Sequence, residues 1–199
     1  MNIWHDIDEK RIKKDDFIAV IEISKGTKQK YEMDKDTGLL ILDRILYTAT
    51  HYPANYGFIP RTFADDGDPL DVLVLCSESL EPMSLVHCYP VGVITMTDGG
   101  SKDEKIIAIP FQDPMYNGYR DISALPRHVV DEMEHFFHVY KQLEHRNVTD
   151  VNRTGDHHQA KEIISACMKN YAAHRDELLQ KHSQPECSCA TEKNNAKQE

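Results

Sequence analysis

The sequence predicts an α+β protein in which a small β-barrel is followed by two helices that pack across it. The first half of the chain carries short apolar runs separated by turn-forming clusters, which favours a barrel or sandwich of short strands. After about residue 120 the apolar residues recur at helical spacing instead. At 199 residues the chain is long enough for one domain with a full core.

The predicted strands are apolar and rich in β-branched residues. They are DFIAVIEIS (16–24), LLILDR (39–44), DVLVLC (71–76), SLVHCYPVGVITM (84–96) and KIIAIP (105–110). Turn clusters separate them: SKG (24–26), DKDTG (34–38), DGDP (66–69) and DGGSKD (98–103). Pro90 interrupts the longest run, and because proline cannot donate to a strand ladder we expect a bend or bulge there.

Two helices are predicted in the second half of the chain. The segment HVVDEMEHFFHVYKQLEH (128–145) places one apolar face at helical spacing, made of Val129, Val130, Met133, Phe136, Phe137 and Tyr140. A second stripe contains Ile163, Ile164, Cys167, Met168 and Tyr171. The polar segment between them, RNVTDVNRTGD (146–156), is interpreted as a connection. We expect one domain over residues 1–180 and a disordered tail over 181–199, where apolar residues are almost absent.

Charge and composition narrow the possible partners. A formal net charge of −10 argues against nucleic acid or an anionic membrane as the main partner. The N-terminus has no apolar core of a secretory signal, and no apolar run approaches the roughly 20 residues of a membrane helix. Five cysteines in dissimilar contexts suit free thiols, so we expect a cytoplasmic protein.

The segment DDGDPLDVLVL (65–75) contains the strongest functional signal. It crowds four aspartates directly ahead of an apolar strand, and like charges at this spacing repel unless cations or protons intervene. Asp98 and Asp103 form a second acidic loop that could converge on the same barrel mouth. Magnesium prefers a few carboxylates together with waters and phosphates. A solvated turn is the alternative interpretation of each loop, and it is stronger for residues 98–103 than for residues 66–71.

Several motifs occur in an order that carries a resemblance. They are VIEI with Glu22, KYEMDK with Lys30 and Glu32, LDR with Arg44, YPANYGFIP with Tyr56, DGDPLDVLV, MTD with Asp98, DEKIIAIP with Asp103 and Lys105, and HFFHVYK with Tyr140 and Lys141. Over roughly residues 15 to 180 the sequence resembles the soluble inorganic pyrophosphatases of the first, magnesium-dependent family, of the bacterial type. This resemblance implies an OB-like five-stranded barrel with flanking C-terminal helices and an active site at the barrel mouth.

The resemblance also implies the activity and the residues that perform it. Pyrophosphate, arriving as a magnesium complex, would be hydrolysed to two phosphates by in-line attack of a metal-activated water, with several Mg2+ ions in each active site. Asp68 would be the general base. The implied metal ligands are Asp66, Asp71, Asp98 and Asp103, with Glu22 and Glu32 in support. The implied phosphate-binding residues are Lys30, Arg44, Tyr56, Lys105, Tyr140 and Lys141.

Some features depart from the family or stay open. The segment at 145–156 lacks the tryptophans and the lysine that many bacterial members carry there, which affects the contacts on that side of the pocket. Cys187 and Cys189 could bind a soft metal, although a free tail is the simpler interpretation. A non-catalytic, metal-dependent ligand-binding module is the alternative function, because OB-like barrels commonly bind oligonucleotides or sugars. The resemblance further implies a homo-oligomer, with a hexamer favoured.

Overall fold

The structure is a computed structural model that describes residues 2–98, 101–144 and 150–183, and at a few of these, Asp98 among them, the backbone alone. The strands are β1 (Ile12–Lys13), β2 (Asp16–Ile23), β3 (Gln29–Met33), β4 (Leu40–Ile45), β5 (Asn55–Phe58), β6 (Asp71–Val74), β7 (Leu85–Asp98), β8 (Ser101–Pro110) and β9 (Asp150–Asp156). The helices are α1 (Ile3–Asp6), α2 (Arg127–Val139) and α3 (His157–Ser183). Short 3₁₀ turns span Glu9–Arg11, Ile122–Ala124 and Gln142–Glu144.

Five strands close into a ring in the order β2–β5–β6–β8–β7, because β7 pairs with β2 as well as with β8. The β6–β8 pair is parallel, and the other pairs of the ring are antiparallel. Strands β1 and β9 extend the sheet from β2 and β7, while β3 and β4 form a separate hairpin. The predicted α+β fold with a five-stranded barrel is confirmed.

Strands β6 and β8 are continuously apolar beyond their first residues because both of their faces are covered. Leu73 and Ile107 belong to the core cluster that includes Phe136 of α2. Val72 and Ile106 belong to the cluster that includes residues of α3. Since successive strand residues point to opposite faces, a strand packed on both sides reads as an unbroken apolar run.

The long strand β7 is irregular at the predicted position. Its first residues, Leu85–Cys88, pair with β2, and the residues from Gly92 onward pair with β9. The register against β8 shifts between Pro90 and Gly92. Proline removes one ladder hydrogen bond at this point, so a single strand can serve both the ring and its extension.

Both predicted helices are present, with different limits. The predicted face of α2 is buried at Val130, Met133, Phe136 and Phe137, and Tyr140 directly after the helix is buried too. Helix α3 begins at His157, earlier than its apolar stripe, because the Asp156 side chain accepts a hydrogen bond from the Gln159 amide and caps the first turn. It continues to Ser183. Residues 184–199, including Cys187 and Cys189, lie outside the described residues.

Four strands were not predicted from the sequence, and one of them, β1, has only two residues and so carries no strand pattern. Strand β9 lies in the segment interpreted as a connection; it pairs only with β7 at the end of the sheet, so its polar sequence carries no strand signal. Strands β3 and β5 are short, and their polar or glycine residues hide the alternation. The predicted strand at 39–44 exists as β4, but it belongs to the hairpin rather than to the barrel.

Buried thiols and helix composition complete the description. Cys76, Cys88 and Cys167 are free and buried. Burial raises the pKa of the Cys167 thiol to about 12. Of the helices in the described ranges, none combines the length and the apolar content that crossing a membrane requires.

Gly57 is a position where the ring tolerates no side chain. A Cβ added there would lie 1.8 Å from the backbone oxygen of Val20 on the paired strand β2. Because the obstacle is backbone, we expect Gly57→Ala to lower the free energy of unfolding by about 3 kcal/mol or more. Gly118→Ala is the control, since a Cβ there meets nothing within 4 Å. Urea unfolding of both variants measures the difference, and equal stabilities would contradict this packing.

Candidate active site

A pocket of about 400 Å³ opens where the hairpin, the barrel and the end of α2 meet. Every site residue predicted from the sequence whose side chain the structure describes lines it. The lining carboxyl groups are Glu22, Glu32, Asp43, Asp66, Asp68, Asp71 and Asp103, and the lining cations are Lys30, Lys35, Arg44, Lys105 and Lys141. Tyr31, Tyr56 and Tyr140 add phenol groups. The pocket is therefore densely charged with both signs.

The aspartate loop before β6 is held by local hydrogen bonds. Gly67 has a φ of +88°, which permits the tight turn, and the Asp68 amide donates to the Asp66 carboxylate at 3.0 Å. Thr62 accepts a hydrogen bond from the amide of the fully buried Leu70 at 2.8 Å, which fixes the far end of the loop. The aspartates are thus presented by a backbone anchored at both ends.

The parallel pairing of β6 with β8 places Asp71 directly beside Lys105. The Lys105 ammonium is only 3% exposed and donates to Asp71 at 2.7 Å, to Asp103 at 3.0 Å and to the Tyr56 hydroxyl at 3.0 Å. Burial alone would lower the pKa of Lys105, but Asp71, Tyr56 and Asp103 outweigh it and raise that pKa well above its usual value. Lys105 therefore remains charged, with its donors directed to protein oxygens.

Tyr56 is a hydrogen-bond donor in this group. Its hydroxyl donates to the Asp71 carboxylate at 2.5 Å. Burial, together with the nearby Asp71 charge, raises the pKa of Tyr56 well above the usual value. The phenol therefore stays protonated: it donates its proton to Asp71, while its oxygen accepts from Lys105.

Glu22 lies at the base of the pocket with an exposed fraction of 8%. Burial, reinforced by the Asp71 charge, raises its pKa to about 8, although the Met33 amide donates to it at 2.7 Å. Near neutral pH the metal-free site therefore keeps a proton on this carboxyl group.

The strands of the hairpin contribute two of the cations that line the pocket. Lys30 and Arg44 are direct partners in the β3–β4 register, so they project from neighbouring strands at one level. Asp43 contacts both: it lies 3.1 Å from the Lys30 ammonium and also pairs with the Arg44 guanidinium. Burial opposes its charge, yet Lys30 and Arg44 together lower the pKa of Asp43 below its usual value.

The end of α2 supplies the remaining predicted residues. Tyr140 is 5% exposed and stacks on Phe136 with ring centroids 5.2 Å apart. The Lys141 ammonium lies 5.3 Å from the Tyr140 ring. The sequence alone left Tyr140 between a core and a site role, and the structure shows it buried in the core cluster while it also lines the pocket.

Sequence reasoning missed three charged residues that contact the predicted ones. Lys35 pairs with Asp68, and its backbone oxygen is held at 2.7 Å by the Asn2 side chain. Asp43 pairs with Lys30 and Arg44, and Glu144 pairs with Arg44. Lys35 lies within the KYEMDK motif and Asp43 within the LDR motif, so their places in the sequence could have identified them. No motif could have identified Glu144, because its partner Arg44 is far away in the chain.

Asp98 ends β7, where its backbone pairs with Ser101. Its side chain lies outside the described residues, so its predicted role as a metal ligand stays a prediction.

The donor set fits a hard divalent cation in its chemistry, since all the candidate ligands are carboxylate oxygens. As the side chains stand, no three acidic, histidine or cysteine groups within the described ranges converge closely enough to hold a metal ion. Lysines hold these carboxylates instead: Lys105 bridges Asp71 and Asp103, and Lys35 contacts Asp68. Ion binding at this site would require at least one of these ammonium groups to move.

A second cavity of about 450 Å³ lies on the other side of Tyr52, near the start of α2. Its titratable lining consists of Lys25, His51, Cys76, Glu132 and His135, together with tyrosines. None of the predicted site residues lines it. It has neither the aspartate cluster nor the basic clamp of the first pocket.

Comparisons with known proteins point to one family. The profile of the family described as inorganic pyrophosphatase matches residues 19–172. Soluble inorganic pyrophosphatase 2 of Chlamydomonas reinhardtii is 45% identical over 171 residues, covering 86% of this chain and 88% of the algal protein. An inorganic pyrophosphatase of Haloferax volcanii is 39% identical over 171 residues, covering 86% of this chain and 97% of its own.

Solved structures agree with this similarity. The inorganic pyrophosphatase of Helicobacter pylori superposes with a TM-score of 0.78 at 42% identity, over 80% of this chain and 95% of that chain. The enzyme of Thermus thermophilus superposes with a TM-score of 0.77 at 39% identity, over 79% of this chain and 92% of that chain.

The raised pKa of Glu22 predicts how stability depends on pH in the metal-free protein. The pKa of Glu22 is 4.5 in the unfolded chain and about 8 in the folded protein. At pH values between these two, the native state holds a proton that the unfolded state has released. Raising the pH through this window therefore favours unfolding, by at most about 1.4 kcal/mol per pH unit. We expect Glu22→Gln, which can keep the Met33 hydrogen bond, to remove this contribution.

Urea unfolding in chelator at pH 5.5 and pH 7.5 measures the effect as a difference between wild type and variant. Glu81→Gln, which removes an exposed carboxylate, is the control and should leave the wild-type pH dependence intact. The pH dependence of Glu22→Gln matching that of wild type would contradict the assignment.

Proposed function

This chain belongs to the inorganic pyrophosphatase family and hydrolyses pyrophosphate to two phosphates, and we propose that the charged pocket is where it does so, with magnesium as the metal. The observation that supports this proposal most strongly is the convergence of five cations, seven carboxyl groups and three phenols on one cavity. A diphosphate needs cationic donors for its oxygens, and a metal that accompanies it needs carboxylates.

Asp68 is the proposed general base. It lies in the aspartate loop at the pocket lining, and its side chain is half-exposed, so a water can reach it. Its present partner, Lys35, extends from the turn after β3 and can withdraw without disturbing the barrel. A carboxylate freed in this way accepts a proton from the attacking water as the bond to the leaving phosphate breaks.

Lys30, Arg44, Tyr140 and Lys141 are the proposed phosphate-binding groups. They come from the hairpin and from the end of α2, and all four line the pocket together with the aspartate loop. Their donors would stabilise the negative charge that develops on the leaving phosphate. Tyr56 and Lys105 line the same pocket, and their hydrogen bonds to Asp71 keep that carboxylate oriented.

Asp66, Asp71 and Asp103 would hold magnesium, together with Asp98 by the resemblance and with Glu22 and Glu32 in support. When bound, magnesium supplies charge neutralisation for the diphosphate oxygens and acidifies water. The excess of carboxyl groups over cations in the pocket leaves room for such added positive charge.

We propose direct attack by water without a phosphoenzyme. The most buried thiols, Cys88 and Cys167, do not line the pocket. Phosphate found covalently attached to a side chain after acid quenching of turnover would exclude this route.

Several expectations from the sequence stay predictions. A row of exposed apolar side chains on and beside β4 supports a homo-oligomer, for which the resemblance favours a hexamer: Leu39, Ile41, Leu42, Ile45 and Tyr47. Light scattering that finds only monomers would reject it.

The domain limits at residue 180, a cytoplasmic location, and the absence of nucleic-acid and membrane partners are likewise proposals. The comparisons give no support to a non-catalytic binding module.

Phosphate release from pyrophosphate tests the proposed function directly. With magnesium we expect turnover, and with excess chelator we expect it to fall to background and to return when magnesium is restored. A colorimetric phosphate assay on purified protein measures both. Turnover that persists unchanged in chelator would overturn the metal requirement, and no turnover under any divalent metal would overturn the proposed function.

Asp68→Asn separates a base from a metal ligand. Removing a general base typically costs about 10²–10⁴ in rate, so we expect a fall in kcat of that size while magnesium affinity changes little. Asp65→Asn is the matched control, because Asp65 is the neighbouring exposed aspartate and does not line the pocket. Calorimetric magnesium titration accompanies the kinetics. Parallel losses of affinity and kcat would make Asp68 a ligand.

A further inference from the structure

Arg44 forms an ion pair with a carboxylate that does not line the pocket. Its Nε atom lies 2.9 Å from a carboxylate oxygen of Glu144, while its Nη1 atom contacts Asp43. Arg44 lines the pocket and Glu144 does not. Glu144 therefore contacts a proposed phosphate-binding residue without being placed to contact the substrate.

The pair is buried on both sides. The side chain of Glu144 is 2% exposed and that of Arg44 is 11% exposed. Burying a carboxylate is costly unless a cation accompanies it, and Arg44 is the ion partner of Glu144 in the described part of the chain. Replacing such a pair by apolar groups often costs nothing in stability, so stability alone does not account for it.

The Arg44–Glu144 contact also joins two elements that no strand pairing connects. Arg44 lies on β4, whose hairpin is hydrogen-bonded as a sheet only within itself. Glu144 ends the 3₁₀ turn after α2, where its amide donates to the Lys141 backbone oxygen at 3.0 Å. The contact thus ties the hairpin to the segment that carries Tyr140 and Lys141.

Glu144 is the end of an alternating chain of charges across the hairpin. Arg44 contacts Asp43, Asp43 lies 3.1 Å from Lys30, and Lys30 contacts Glu32. The Nε and Nη2 atoms of Arg44 make no hydrogen bond within the described residues, so Glu144 holds the guanidinium through an ion pair rather than through an aligned hydrogen bond. The hydrogen bond that fixes the guanidinium runs from Nη1 to Asp43, and the Nη2 donors stay available.

We propose that Glu144 is a positioning residue: it aims the Arg44 guanidinium and holds the hairpin against the end of α2, so that the phosphate-binding groups on both sides face one diphosphate. This inference rests on the proposed function of the pocket. It predicts that Glu144 acts on substrate affinity, through Arg44, more than on the proton transfer assigned to Asp68.

Glu144→Gln keeps the size of the side chain and removes its charge. We expect the KM for magnesium pyrophosphate to rise about tenfold while kcat changes less than threefold. Calorimetric binding of methylenediphosphonate, a diphosphate that cannot be hydrolysed, should weaken by a similar factor. Glu134→Gln is the matched control. Glu134 also pairs with an arginine, Arg127, but it lies outside the pocket. It should leave KM and diphosphonate affinity at wild-type values.

A double-mutant cycle shows whether the effect passes through Arg44. In an Arg44→Lys background, adding Glu144→Gln should cost little further affinity, whereas a purely structural role would cost the full factor again. Glu144→Asp, which retains the charge, should keep more affinity than Glu144→Gln. If Glu144→Gln does not fold, Glu144→Asp is used in its place. Wild-type KM and affinity in these variants would overturn the positioning role, and an inactive wild-type protein would instead overturn the proposed function.

Discussion

The parallel pairing of β6 with β8 is the constraint on which the site depends. It places Asp71 beside Lys105 at the mouth of a closed five-stranded ring, where the ammonium is 3% exposed. A buried cation of this kind is stable only with anionic partners, and Asp71 and Asp103 provide them. The Lys105 ammonium donates to Asp71, Asp103 and Tyr56, and thereby orients both carboxylates and the phenol. One buried residue of the barrel therefore arranges these groups of the pocket.

Charge compensation by lysine explains how the metal-free protein tolerates its crowded carboxylates. Lys105 and Lys35 contact aspartates of the pocket, and Glu22 keeps its proton because burial raises its pKa to about 8. We propose that divalent cations take over the charge compensation that Lys35 and the Glu22 proton provide in the metal-free protein. Lys35 comes from a turn and has a long flexible side chain, so it can move. Lys105 is confined between strands and acts as a fixed part of the wall.

Local signals in the sequence predicted four of the five strands of the ring and the aspartate loop, whereas the five-stranded barrel and the other pocket residues came from the resemblance. The aspartate loop, the turn at Gly67 and the apolar strand beginning at Val72 lie within one short segment. Glu144 could not be found in this way, because its significance comes from a contact with a strand about one hundred residues earlier. Strand β9 was not predicted for a different reason. At the end of a sheet the pairing energy comes from the backbone, and polar residues such as Asn152 and Arg153 give the sequence no apolar alternation.

The central claim is that a diphosphate and its metal ions share the pocket between the aspartate loop, the hairpin and the end of α2. A crystal structure of the protein with magnesium and methylenediphosphonate tests it most directly. The account predicts diphosphonate density in contact with Lys30 and Arg44, and ions bound to Asp66, Asp71 and Asp103 with Lys35 withdrawn from Asp68. Diphosphonate bound in the second cavity, which Tyr52 lines, with Lys35 still paired with Asp68, would contradict it.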